Sequence, residues 1–348
     1  MKNIYSLYPE ELVELLVSIG EPKYRASQIF SQLHKGILLD EMTNVGKKTK
    51  EKIKEQIDIS LPTVKRKLVS QIDGTVKYLF ELSDKNCIES VIMKYEHGYT
   101  ICVSSQVGCR MGCKFCASTL GGRVRDLEAG EILGQLLAAN RDLGIRISNI
   151  VMMGIGEPLD NFDNSVRFLK LANHPDGVNI GYRHISLSTC GVVSGIYKLS
   201  ELDLPITLSI SLHAPDDETR SEIMPVNKRW GVEELLRACR DYYKKTGRRI
   251  SFEYTLISGK NDSKALAEKL AQVLNSALRT RSETMPIHVN LIPVNEVDET
   301  GFSPSDKKGI SNFAATLESR GIRATVRRKL GSDINASCGQ LRREEERG

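Results

Sequence analysis

Short β-strands alternate with amphipathic helices over most of the chain, and this alternation constrains the fold more than any other sequence feature. Apolar, β-branched runs predict strands at 100–105, 147–153, 183–188, 205–211, 249–256, 287–292 and 323–327. Helix-spaced apolar residues predict helices at 129–143, 232–245, 264–277 and 305–320. Repeated β-then-α units indicate an α/β fold with a parallel sheet and ligands at the carboxyl ends of the strands. The pattern leaves open whether the sheet closes into a barrel.

The residues before this unit follow a different pattern. Residues 1–70 are predicted to form a small helical domain, which includes a lysine-rich helix at 46–55. Residues 71–98 are predicted as a β connection, in which Asp73-Gly74 favours a hairpin turn. The lysine-rich helix is either a solvated face or a positive patch for a partner. We therefore expect four segments: 1–70, 71–98, 99–330 and 331–348.

The composition is that of a globular chain with free thiols. No run of eighteen apolar residues occurs and the first residues lack a signal core, so we expect a cytoplasmic protein without membrane contact. Eight cysteines in such a chain argue against a disulfide scaffold. Clustered cysteines are therefore interpreted first as metal ligands or catalytic groups.

Three cysteines lie on one tight loop just past the first strand of the α/β unit. Cys109, Cys113 and Cys116 have the spacing C-x3-C-x2-C. Zinc prefers four closed ligands, and no second cysteine pair accompanies these three. A 4Fe-4S cluster takes four cysteines, so three leave one iron available to a small molecule. The loop favours such a cluster, and a structural zinc site is the alternative.

A glycine-rich turn follows the apolar strand that ends near Met153. Its sequence is Gly154-Ile155-Gly156-Glu157-Pro158. Two glycines let the backbone approach a ligand closely, and a glutamate there can pair with an ammonium group. A dinucleotide fingerprint is the competing interpretation, but Leu159 stands where its third glycine would be.

The cysteine spacing, with Phe115 before the last cysteine, resembles the signature of the radical S-adenosylmethionine (SAM) superfamily. The resemblance implies a partial (β/α)6 barrel, with a 4Fe-4S cluster on Cys109, Cys113 and Cys116 and SAM on the open iron. Longer strings are similar to the RlmN/Cfr family of RNA adenine methyltransferases over nearly the whole chain: SSQVGCRMGCKFCAS, MMGIGEPLDN, SLSTCGVV, SISLHAPDDETR, IMPVNKRW and DINASCGQL.

The resemblance to this family implies roles for further residues. Cys338 would carry a methyl group as S-methylcysteine, and Cys102 would resolve the reaction through a transient disulfide with Cys338. Glu89 would be the proton acceptor. The implied SAM contacts are Gly156, Glu157, Ser188, Ser211, Leu212, His213 and Asn295.

The family also implies the reaction. Carbon 2 of an adenosine in 23S rRNA, and of the adenosine adjacent to the anticodon in tRNA, would be methylated with two SAM per turnover. Carbon 2 is electron-poor, so a carbon radical suits it better than direct methyl transfer. A Cfr-like reaction at carbon 8 is the alternative, and Pro158 argues against it. A non-catalytic iron–sulfur or zinc RNA-binding protein and a glycyl-radical activase also stay open.

Basic residues near the end of the chain agree with an RNA partner. They are Arg320, Arg323, Arg327, Arg328, Lys329, Arg342 and Arg343. Neutralised phosphates would give affinity with a steep salt dependence, and the target base must leave its stack to reach a buried site. We expect an electron donor such as a flavodoxin or ferredoxin, and a monomer.

Overall fold

The computed structural model describes residues 2–280, 283–295, 301–336 and 341. Its helices are α1 Pro9–Ser18, α2 Arg25–His34, α3 Lys47–Gln56, α4 Ala129–Leu143, α5 Phe162–Asn173, α6 Val193–Ser200, α7 Asp217–Ile223, α8 Val232–Thr246, α9 Lys264–Leu278 and α10 Lys307–Ser319. Its strands are β1 Thr63–Val69, β2 Val76–Glu81, β3 Cys87–Tyr95, β4 Gly98–Cys102, β5 Gln106–Gly108, β6 Arg123–Asp126, β7 Ile147–Met152, β8 Ile185–Thr189, β9 Thr207–Ser211, β10 Ile250–Leu256, β11 Arg279–Thr280, β12 Glu283–Thr284, β13 His288–Pro293 and β14 Arg323–Val326.

One ten-stranded sheet organises the molecule. Its order is β1-β2-β3-β4-β7-β8-β9-β10-β13-β14, antiparallel as far as β4 and parallel from β4 onward. Helices return the chain between the parallel strands, which gives six β-then-α units from β4 to α10. Within the described residues the sheet stays open, with β1 and β14 as its edges. The prediction of a partial (β/α)6 barrel is confirmed.

The predicted element boundaries hold best where caps mark them. Helix α4 has the predicted limits and is capped by Gly144, whose φ of 63° suits glycine. Strand β1, Thr63–Val69, lies within residues 1–70, the segment that the sequence predicts as a helical domain, so the prediction is wrong for its last part. The error arises because β1 is an exposed edge strand, and its lysines hide the apolar alternation.

The N-terminal helices are fastened to the barrel near the start of α4. The backbone N–H of Asn3 donates to Oε2 of Glu128 at 2.9 Å, and that of Gly130 donates to Oγ of Ser6 at 2.7 Å. A Cβ on Gly130 would lie 2.5 Å from Oδ1 of Asn3, so only glycine allows this approach. The apolar core is therefore continuous between the helical region and the sheet.

A second contact joins the tail segment, defined as residues 327–336, to the turn between β1 and β2. Asp333 accepts from Oγ of Ser70 at 2.7 Å and from the backbone N–H of Gln71 at 2.8 Å. The backbone N–H of Gly331 donates to Asp73 at 2.8 Å. The hairpin thus does more than connect two halves, because it holds the chain that leads to Cys338. Among the described helices, none has both the length and the apolar composition needed to span a membrane.

Candidate active site

A cavity of about 330 Å³ opens at the carboxyl ends of the parallel strands. Its walls include Cys102 at the end of β4, Phe115 and Cys116 of the cysteine loop, and Asn295 after β13. The tail segment lines it as well, as far as Ala336. The structure therefore brings three of the predicted site residues, Cys102, Cys116 and Asn295, to one cavity. Cys338 lies outside the described residues.

The cysteine loop is held in place by backbone contacts on both sides. The N–H of Cys109 donates to the carbonyl of Gly122 at 2.9 Å, and that of Lys114 donates to Ile223 at 2.9 Å. The hydroxyl of Thr119 donates to the carbonyls of Cys113 at 3.1 Å and Cys116 at 2.9 Å. Such anchoring fixes the three thiols relative to the sheet. Sequence reasoning missed the small hairpin of β5 and β6 that supports this loop.

The three thiols are close enough to influence one another electrostatically. Burial raises the pKa of Cys109 to about 12, and the charge of Cys116 adds to the effect. Burial also raises the pKa of Cys113, with further increases from Cys116 and Cys109. A bound cationic group would offset this repulsion between thiolates, as iron does in a cluster. The three residues therefore fit an iron–sulfur cluster.

Among the described side chains, no three of His, Cys, Asp or Glu are arranged to hold a single metal ion.

The turn at Gly156 and Glu157 packs against the strand next to it. A Cβ on Gly156, where φ is 105°, would lie 2.6 Å from Cβ of Gln106. The two carboxylate oxygens of Glu157 accept from the backbone N–H groups of Leu159 at 3.0 Å and Cys190 at 2.7 Å. Burial raises the pKa of Glu157, and these hydrogen bonds oppose the shift. Packing of the turn against Gln106 therefore requires glycine at position 156, independently of any ligand.

The other predicted SAM contacts gather at the ends of β8 and β9. Ser188 and Ser211 are half-buried near these ends, and Leu212 is buried. His213 has a φ of 58°, accepts at Nδ1 from the backbone N–H of Thr255 at 2.9 Å, and meets Phe115 edge-on at 5.0 Å. Burial lowers the pKa of His213 to about 3, so its ring is neutral at neutral pH. This histidine links the cysteine loop to β10.

Sequence reasoning missed Arg220, a fully buried arginine on α7. Its guanidinium donates to the carbonyls of Cys190 at 2.6 Å, Leu212 at 2.9 Å and Ser211 at 3.2 Å. It therefore joins the ends of β8 and β9, where the predicted SAM contacts lie. An arginine on a short acidic helix has the sequence signature of a surface residue, so no local pattern marked it.

Glu89 and Cys102 lie on neighbouring strands. Cys102 is opposite Val91 in the register of β3 and β4, two residues from Glu89. The side chain of Glu89 is fully buried, and its Oε2 is 3.1 Å from Nζ of Lys77. Sequence reasoning missed Lys77, because a lysine within an alternating strand is typical of a solvated face. The predicted disulfide of Cys102 stays a prediction.

The basic residues near the end of the chain divide into two groups. Arg327, Arg328 and Lys329 line the cavity. Arg320, which follows the last residue of α10, and Arg323 on β14 are exposed. Arg342 and Arg343 lie outside the described residues. Three positive side chains therefore border the cavity at the tail segment.

Comparisons with known proteins identify the family of this chain. Residues 103–270 match the radical SAM superfamily, and residues 2–59 match the ribosomal RNA large subunit methyltransferase N-terminal domain. The chain is 52% identical to the probable dual-specificity RNA methyltransferase RlmN of Clostridium novyi over 99% of this chain and 98% of that protein. It is 51% identical to the protein of the same name from Alkaliphilus oremlandii, over 98% of each chain.

A solved structure agrees over the same length. The crystal structure of a radical SAM methyltransferase from Sphaerobacter thermophilus superposes with a TM-score of 0.91 at 40% identity, covering 98% of this chain and 99% of that chain. These relatives bear out the methyltransferase expectation over the binding-protein and activase alternatives, and give the Cfr-like alternative no support. The chain belongs to the RlmN family of radical SAM RNA methyltransferases, whose cofactors are a 4Fe-4S cluster and SAM.

Proposed function

We propose that this enzyme methylates carbon 2 of an adenosine in 23S rRNA, and of the adenosine adjacent to the anticodon in tRNA, through a methyl group carried on Cys338. One observation carries the proposal: a single cavity is lined by Cys102, Cys116 and Ala336. Two peptide units separate Ala336 from Cys338, a span of at most about 7 Å. The names of the relatives, dual-specificity RNA methyltransferases, support two kinds of RNA substrate.

The cofactor sites follow from the same residues. Cys109, Cys113 and Cys116 would hold the cluster, and the strand ends held by Arg220 would receive SAM through Ser188, Ser211, Leu212 and His213. Gly156, Glu157 and Asn295 complete the proposed SAM contacts. When bound, the cluster and two SAM molecules per turnover supply a methyl group, a hydrogen-abstracting radical and an acceptor for one electron.

The residues of the chain then act in sequence. The thiolate of Cys338 takes the methyl group, and after loss of one hydrogen atom that carbon bonds to carbon 2 of adenine. Glu89 takes the proton from carbon 2. The thiolate of Cys102 attacks the sulfur of Cys338, and the sulfur–carbon bond breaks with its electron pair going to the carbon, which takes up one proton from solvent and becomes the methyl group. One electron passes from the adduct to the acceptor that the bound cluster would supply. The resulting disulfide needs two electrons before the next turnover.

The surroundings of the cavity suit an RNA substrate. Arg327, Arg328 and Lys329, at the start of the tail segment, line it where phosphates of a strand with a flipped base would pass. We assign residues 1–70 to an accessory RNA-binding domain, 71–98 to a β connection, 99–330 to the barrel and 331–348 to the segment that carries Cys338. The enzyme would act as a monomer with a donor such as a flavodoxin or ferredoxin.

Nucleoside analysis tests the proposal. Reconstituted enzyme would be incubated anaerobically with SAM, reductant and either a 23S rRNA fragment or tRNA, and the digested RNA analysed by mass spectrometry. We expect 2-methyladenosine from both RNAs. A product methylated at carbon 8, or no methylated adenosine, would overturn it.

A further inference from the structure

Lys77 is a buried lysine that joins three parts of the site. Its side chain is 1% exposed, and its Nζ lies 3.1 Å from Oε2 of Glu89, which is 0% exposed. The same ammonium donates to the carbonyl of Asn335 at 2.9 Å. Asn335 lies three residues before Cys338. One cation therefore contacts both the proposed proton acceptor and the segment that leads to the proposed methyl carrier.

The sheet register explains how Lys77 reaches this position. Lys77 is opposite Val91, and Leu79 is opposite Glu89, so Lys77 and Glu89 are diagonal neighbours on one face of β2 and β3. Val91 and Met93 on β3 line the cavity. The ion pair therefore lies on the face of the sheet that borders the proposed reaction space.

The part of the tail segment that accepts from Lys77 is a tight turn. Gly331 and Asn335 have φ values of 60° and 45°, and the N–H of Ala336 donates to the carbonyl of Gly331 at 3.1 Å. This tight turn is the last described structure before residue 337. A Cβ on Gly331 would lie 2.6 Å from Cβ of Ala336, so the turn depends on glycine. Lys77 thus donates to a tight turn that has its own internal hydrogen bond.

Stability alone is a poor reason for such a pair. Burying two charges removes them from water, and well-packed apolar side chains of similar size are often as stabilising. Buried lysines are rare. The arrangement makes sense where both partners of the lysine must keep a defined geometry for chemistry.

We propose that Lys77 is a positioning residue, whose ammonium holds the carboxylate of Glu89 and the turn at Asn335 in one arrangement, so that Glu89 faces the adenine bonded to Cys338. The inference rests on the proposed function. The proton moves from carbon 2 to the carboxylate of Glu89, which becomes the neutral acid. The ammonium of Lys77 takes no part in this transfer and stays hydrogen-bonded to the carbonyl of Asn335.

The test compares Lys77→Met and Lys77→Arg in the full, reconstituted enzyme, with Lys67→Met as a matched control. Lys67 lies on the neighbouring strand β1, and its Nζ is 2.6 Å from Asp142 in a partly exposed ion pair. Three quantities are measured: S-methylation of Cys338, the covalent RNA–protein adduct, and released 2-methyladenosine. We expect Lys77→Met to raise the ratio of adduct to product about tenfold or more. In Lys77→Arg we expect a ratio of adduct to product between those of Lys77→Met and wild type. In Lys67→Met we expect the wild-type ratio.

A purely structural lysine would lower iron content, methylation and product together, with the wild-type ratio of adduct to product, and that result would overturn the inference. If Lys77→Met does not fold, the double variant Lys77→Met/Glu89→Gln is compared with Glu89→Gln alone, since it removes the uncompensated charge. If the inference is right, adding Lys77→Met to Glu89→Gln causes no further loss of released 2-methyladenosine. Additive losses of product from the two substitutions would contradict it. Failure of the proposed function is distinguishable, because wild type itself would then form no S-methylcysteine at 338.

Discussion

The carboxylate of Asp333 accepts a hydrogen bond from the hydroxyl of Ser70, at 2.7 Å, across 263 positions of sequence. Its second oxygen accepts from the backbone N–H of Gln71. The hydrogen bond from Ser70 lowers the pKa of Asp333, so the anchor stays ionised at neutral pH. The hairpin of β1 and β2 therefore fixes the tail segment that borders the cavity.

Replacing this anchor should slow the first chemical step. With Asp333→Ala, we expect S-methylation of Cys338 to slow roughly tenfold, because the tail segment loses two hydrogen bonds to a charged group. Iron content should stay at the wild-type level. Asp241→Ala is a suitable control, since it removes an aspartate that accepts from the hydroxyl of Tyr197 on the outer helices. Equal methylation rates in Asp333→Ala and wild type would contradict the anchoring role.

The cysteine loop should respond differently from the remaining cysteines. We expect Cys113→Ala to lose the cluster and all SAM cleavage, as measured by iron and sulfide content and by 5′-deoxyadenosine. Cys239, buried on α8, is the control. Cys239→Ala should keep the cluster and lose about 1 kcal/mol of stability from the vacated volume. A full cluster in Cys113→Ala would contradict the ligand assignment.

Variants of Cys102 and Cys338 should stop the reaction at different steps. We expect Cys102→Ala to stall with RNA covalently attached to Cys338, because no thiolate is present to attack its sulfur. Cys338→Ala should keep its cluster but form neither adduct nor product. Denaturing gels with labelled RNA, followed by peptide mass spectrometry, separate the two cases. Free turnover by either variant would contradict the roles.

His34 makes stability depend on pH. Burial lowers its pKa to about 3, with a further contribution from His174. The unfolded chain, with a histidine pKa near 6.5, binds the proton more readily, so this contribution is complete above about pH 6.5 and is lost as pH falls toward the folded value.

We therefore expect the free energy of unfolding of the apoprotein to fall by up to about 1.4 kcal/mol per pH unit below pH 6.5 on account of this residue. Nδ1 of His34 has no hydrogen-bond partner among the described residues, so His34→Leu should be tolerated and should flatten the dependence. His97→Leu, at an exposed histidine, should keep the wild-type slope. Urea unfolding at several pH values measures the slopes, and an unchanged slope in His34→Leu would count against this explanation.

Local patterns predicted what is local in this protein. The strand and helix order of the barrel and the cysteine loop follow from periodicity and spacing within short stretches. Lys77 and Arg220 were missed because their environments depend on distant pairing: Lys77 meets Asn335 across 258 positions, and Arg220 meets Cys190 across 30. A residue of surface type becomes buried only when the fold brings its partners to it.

Roles that depend on chemistry came from likeness to a family and not from periodicity. Glu89 and Cys102 have no distinguishing local pattern, and only the register of β3 and β4 makes them neighbours. The sequence pattern indicates that Gly154 and Gly156 let a ligand approach the backbone, yet in the fold both also pack against the chain, Gly154 on Val103 and Gly156 on Gln106. Close packing of this kind is invisible until the strands are paired.

The central claim is that a carbon carried on Cys338 becomes the methyl group at carbon 2 of adenine. It is tested most directly by giving the reconstituted enzyme SAM with a ¹³C-labelled methyl group, removing free SAM, and then adding RNA with unlabelled SAM. The account predicts that the first 2-methyladenosine released carries the label from the protein. Unlabelled product in that first turnover, with label still on the protein, would contradict it.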